Sequence, residues 1–150
     1  MSSEADAALA AQGAVLADAI EAALPVWAVR VVVELAGPVH AAAAERAGLD
    51  AASAIRPSLR ALLGADVDEQ RANPLAVVRT AVRWPATVLR EAGVDPVRRD
   101  EHDIAHFPDD AYGLTPMAFA DLGPDVQEAG ILWGALKARA HLERHAGRPS

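Results

Sequence analysis

The residues best placed to do chemistry are His102 and Asp103 with His106, in the run His102-Asp103-Ile104-Ala105-His106. On a helix, side chains four apart share a face, so both imidazoles could reach one divalent metal, with Asp103 or Glu101 assisting. The same spacing recurs at His141 and His145, in the run HLERH. Four imidazoles from two adjacent helices would form a closed zinc site. Each pair also has a plainer reading. His102 and His106 suit a solvated acidic helix, and His141 and His145 suit the negative end of a helix dipole.

The HDIAH string resembles the His-Asp core of HD-domain phosphohydrolases, which are all-helical and metal-dependent. That resemblance implies metal ligation by His102 and Asp103, with His40 as the upstream histidine and Asp121 or Asp125 as the downstream aspartate. It spans five of 150 residues. Arg98, Arg99, Asp100 and Glu101 lead into the pair, where that family has a buried apolar helix. A zinc-protease pattern would need glutamate in place of Asp103 and a third ligand at the right spacing.

Other groups offer less. Arg79, Arg83 and Arg90 gather on one flank of a helical pattern, and Arg98-Arg99 follow. That is a conceivable phosphate patch without a glycine-rich loop. Asp109 and Asp110 beside Tyr112 could serve acid/base chemistry, but their setting between Pro108 and Gly113 reads as a capped turn. No serine sits in a nucleophile-elbow context.

The elements that would position these residues are helices. Ser2 or Ser3 can cap a first helix to about Leu24, with Leu9, Gly13, Leu16, Ile20 and Leu24 on one face. Pro25 suits the first turn of a second helix, which should bury Trp27, Val29, Val32, Val33 and part of Leu35. Gly37-Pro38 breaks it, and Gly48 is the expected stop of the helix from Val39. Asp50 can cap a third helix to Leu63, with Pro57 marking a kink or a later start. A polar connection spans 64–72. Asn73-Pro74 opens a fourth helix with a kink at Pro85 and an end at Gly93. Asp95-Pro96 is expected to open a short helix that Pro108 stops. Turns follow, with one helical turn after Thr115-Pro116, and a last helix runs from Pro124 to Ala146.

No segment alternates with period two. The expectation is an all-α, single-domain bundle over 1–150, of about five to seven helices with proline kinks. A turn-rich acidic segment precedes the last helix, and the ends 1–3 and 147–150 should fray. A weak internal echo links 25–50 with 74–95, either as a duplication or because proline starts and glycine stops recur in helical proteins.

Composition narrows the function classes. The net charge of −7 opposes general nucleic-acid binding. Nine carboxylates against two arginines fill 95–128, whereas 129–150 is basic, so the two segments should pack together around Phe107, Tyr112, Leu114, Phe119 and Trp133. There is no cysteine, which suits a reducing cytoplasm. Arg30 and Glu34 interrupt the most apolar window and argue against a membrane span; four apart, they can pair. Thirteen arginines with a single lysine, Lys137, fit a high-GC bacterium. The stripe Gly130, Gly134, Ala138 invites close approach by another helix of the domain or by a partner chain. The leading expectation is a non-enzymatic cytosolic domain that binds another protein or itself, with no cofactor. The alternative is a divalent-metal hydrolase at His102-Asp103.

Overall fold

Leu9, Gly13, Leu16, Ile20 and Leu24 are all buried, as their shared face requires, on a helix far longer than the local signals suggest. In the computed structural model, which describes residues 4–64 and 73–146, α1 runs unbroken from Glu4 to Ala36. The expected frayed ends and most of the polar connection lie outside the described residues. Pro25 therefore sits inside α1 rather than starting a second helix. Interior proline normally costs about 3 kcal/mol, because it removes one backbone hydrogen bond and crowds the preceding turn. Burial on either side of it, at Leu24, Trp27, Ala28 and Val32, offsets that penalty.

Gly37, at φ 98°, ends α1 as expected, and the 3-10 turn Pro38–His40 leads into α2, Ala41–Leu63. Gly48 is not a stop, and Asp50 and Pro57 lie within the same helix. The reason is the crossing with α1. A Cβ on Gly48 would lie 2.4 Å from Pro25 Cα and 2.8 Å from the Leu24 carbonyl oxygen. Gly48 is thus where two helix backbones touch.

Outside the crossing, α2 is tied to α1 by ion pairs. Glu21 meets Arg56 at 3.3 Å and Arg60 at 3.5 Å, and Arg60 meets Asp18 at 2.8 Å. The hydrogen bond from Arg60 to Asp18, helped by the Glu21 charge, pushes an already high guanidinium pKa up. The arginines and Asp18 face solvent while the Glu21 side chain is largely buried, so the pairs orient the helices more than they hold them. Arg30 does not pair with Glu34; its guanidinium donates to the Asp121 carbonyl oxygen.

Asn73 caps α3, Pro74–Val78, by accepting from the Leu75 amide at 3.0 Å. The chain tightens into a 3-10 turn over Arg79–Val82 before α4, Arg83–Glu91. Pro85, in the first turn of α4, has no N–H to bond the Ala81 carbonyl, which explains an irregularity there. Gly93, at φ 79°, closes α4. Val94 N bonds Leu89 O at 3.0 Å and Gly93 N bonds Arg90 O at 3.1 Å, which is the Schellman pattern. The echo between 25–50 and 74–95 thus folds differently at its punctuation: Pro25 and Gly48 are interior, Pro74 and Gly93 terminal.

The short helix α5, Glu101–His106, starts later than Asp95-Pro96. Its cap is Asp100, whose carboxylate accepts from the Asp103 amide at 2.8 Å. A 3-10 turn at Phe119–Leu122 precedes α6, Pro124–Ala146. The fold is all-α, with no strand among the described residues. α1 is the axis: α2 packs along it most extensively, α6 covers another side, and α3 and α4 lie on α2. Buried side chains from Ala5 to Ala140 form one hydrophobic cluster. The last helix therefore docks chiefly on α1, meeting the acidic segment through the 3-10 turn at Phe119–Leu122. No described helix is long and apolar enough to cross a membrane.

Candidate functional site

The histidines of α5 do share a face. Their ring centroids lie 4.0 Å apart with planes tilted by 30°. His106 Nδ1 sits 2.9 Å from the His102 carbonyl oxygen, an acceptor, so the proton of that bond is on Nδ1. Both rings are exposed, and Asp103 is half-buried beside them.

The remaining ligands suggested by the sequence are dispersed. His40 ends the turn between α1 and α2. Asp121 accepts from the Met117 and Ala118 amides at 2.9 and 3.0 Å, so its carboxylate holds the turn before α6. Asp125 is exposed in the first turn of α6, and His141 is half-buried further along. His145 lies in the last turn of α6, its side chain outside the described residues. Among the described residues no three histidine, aspartate or glutamate side chains gather into a group able to hold a metal. The residues singled out by the His-Asp resemblance are not brought together here.

The structure instead gives shape to the arginine flank. Arg79 and Arg83, one helical turn apart, line a cavity of about 210 Å³ with Val82, His106, Phe107 and Thr115. Arg79 Cζ lies 5.5 Å from the Phe107 ring centroid, and Arg83 Cζ lies 5.3 Å from that of Trp84. Arg90 and Arg98 are exposed, and Arg99 donates to the Phe107 carbonyl at 2.6 Å. The far wall is the turn that Pro108 and Gly113 mark in the sequence. Asp110 is buried there, accepting from the Leu114 amide at 2.6 Å, the Thr115 amide at 2.7 Å and the Thr115 hydroxyl at 2.6 Å. Three donors compensate the carboxylate for its lost water and leave it a brace for the loop. The sequence offered Arg79 and Arg83 as a patch but held no sign that Phe107 would come to face them.

α6 carries apolar residues on two opposite sides. Val126, Ala129, Trp133 and Ala140 are buried in the core. Ile131, Leu132 and Leu142 are 66, 49 and 67% exposed. The small-residue stripe divides between the two. A Cβ on Gly130 would strike the Phe119 ring at 2.3 Å, while one on Gly134 would meet nothing within 4 Å. Gly130 is explained by a neighbour within the chain, and Gly134 is not.

No protein-family model matches the chain, and comparisons with curated proteins and with solved structures find no match either.

Proposed function

We propose that the chain is a non-enzymatic helical interaction domain that associates with a second copy of itself through the outer face of α6. The observation that carries this reading is the exposure of Ile131 and Leu142 on the side opposite the buried face, with Leu132 exposed on the flank. A surface helix of a monomer normally turns charged residues to water on that side. Gly134 costs about 1 kcal/mol of helix stability relative to alanine. Its Cβ position is open, so a second helix could approach the backbone there.

A second copy fits the small residues of this face. Two-fold symmetry makes an interface self-complementary, and with the axis perpendicular to the helices the pair runs antiparallel about a crossing point. With Gly134 at that crossing, Ile131 of one copy lies beside Ala138 of the other, whereas Leu132, two residues from Gly134, stays on the far side of the helix. The acidic net charge keeps nucleic acid outside this reading, and a chain without cysteine suits a reducing compartment.

Sedimentation over a hundredfold concentration range tests the proposal. A monomer–dimer equilibrium is expected, shifted to monomer by Ile131→Asp without loss of helical signal. A strict monomer at every concentration, or a dimer indifferent to Ile131→Asp, overturns it.

A further inference from the structure

We infer that the cavity between Arg79, Arg83 and Phe107 binds a small organic oxyanion, a phosphate monoester or carboxylate carrying a flat or short apolar group. The argument begins with hydrogen-bonding capacity. Arginine brings five N–H donors in a rigid fork that matches carboxylate and phosphate oxygens. Arg79 Nε is shielded from solvent and has no hydrogen-bond acceptor among the described residues. The ion pairs among those residues engage Arg56, Arg60 and Arg139, not Arg79 or Arg83. A buried donor without an acceptor loses its hydration with nothing in return, so such a group in a folded protein calls for a reason. An oxyanion in the adjoining cavity supplies one.

Asp109 and Asp110 also line the cavity and offset the formal charge of Arg79 and Arg83, so preference for an anion rests on hydrogen-bonding capacity. Asp110 spends both carboxylate oxygens on the Leu114 and Thr115 donors and has little left to offer a cation. Asp109 is exposed, where water and salt screen it. His106 lines the cavity with its Nδ1 engaged by the His102 carbonyl.

Size and lining set the rest of the ligand. A volume of about 210 Å³ is below the roughly 300–1,000 Å³ of sites for drug-sized molecules, so the occupant is small. Phe107 and the buried Val82 give the cavity an apolar side. The Phe107 ring also holds the Arg79 guanidinium by a cation–π contact, which leaves the edges of the fork free for in-plane hydrogen bonds. The loop wall is pre-organised by Asp110 and by the Arg99 bond to Phe107, so binding would order little. The site is separate from the α6 face and stands or falls independently of self-association.

The test is an NMR titration of the full chain with phenyl phosphate, with benzamidine as a cation of similar size. The expected result is saturable phenyl phosphate binding that shifts the Arg79 Nε–H and Phe107 ring resonances, a readout that needs no variant. Arg79→Gln should weaken binding at least tenfold and Arg83→Gln severalfold. Arg90→Gln, on the same helix but outside the cavity, should leave it unchanged. Benzamidine binding as tightly as phenyl phosphate overturns the inference. So do perturbed resonances lying elsewhere, or a folded Arg79→Gln with undiminished affinity.

Discussion

The crossing of α1 with α2 and the segment from Val94 to Pro116 are held by opposite means. At the crossing, contact is backbone on backbone: Gly48 lies against Leu24 and Pro25, with Leu24 and Trp27 buried at the same level. The ion pairs that join α1 to α2 lie away from that junction, between Asp18 or Glu21 and Arg56 or Arg60. The 94–116 segment contains one helix of six residues and keeps its shape through hydrogen bonds. Val97 N reaches Ala111 O at 3.0 Å, Tyr112 Oη donates to Val94 O at 2.7 Å, and Asp110 binds three donors. The first region should therefore be intolerant of added volume and indifferent to polarity. The second should tolerate volume at its rim and fail when one carboxylate is removed.

Gly48→Ala is the sharpest way to break that contrast, and the largest effect expected. The new methyl would press on backbone atoms of α1, which cannot rotate aside as a side chain could. Overpacking costs typically 1–3 kcal/mol, and a contact of 2.4 Å with Pro25 Cα puts this case at about 3 kcal/mol or above. Denaturant unfolding would measure it. A loss under about 1 kcal/mol would mean that the helices part easily and that the crossing is not the rigid centre of the fold.

Asp110→Ala comes next. It leaves the Leu114 and Thr115 amides and the Thr115 hydroxyl without their acceptor, at about 1–3 kcal/mol. The damage should be local. Amide exchange is expected to accelerate over 107–116 while the α1–α2 core stays protected. If the core loses protection to the same degree, the two regions form one cooperative unit and the contrast fails.

The same contrast explains what the sequence could disclose. Helical class and buried faces were legible because periodicity and caps are local: Leu9 to Leu24 on one face, Asn73-Pro74 as a start and Gly93 as a stop. Pro25 and Gly48 read as punctuation by the same logic, yet each is interior, because a distant backbone contact rather than local chemistry fixes its place. The shift from Asp95 to Asp100 as the cap of α5 has another origin. Both are aspartates suited to capping, and only the second has an amide three residues on that receives its carboxylate. For the candidate sites, the pairing of His102 with His106 followed from spacing alone. The approach of Phe107 to Arg79 did not, since it depends on how a loop returns to a helix.

Gly134→Ala gives the smallest effect on the chain itself and the most informative one about α6. Gly48 and Gly130 both have neighbours that a methyl group would strike, but Gly134 has none within 4 Å. In the monomer, alanine there should raise helix stability by up to about 1 kcal/mol. If Gly134 is the crossing point of a self-associating pair, the same methyl would push the two helices apart and weaken the dimer. The two effects separate with concentration. Melting in dilute solution should rise, whereas the dissociation constant from sedimentation should also rise. A melting gain that is equal at low and high concentration, with association unchanged, would place any interface away from Gly134. Weakened association with a stabilised monomer would show that this glycine serves the contact between copies rather than the fold of one.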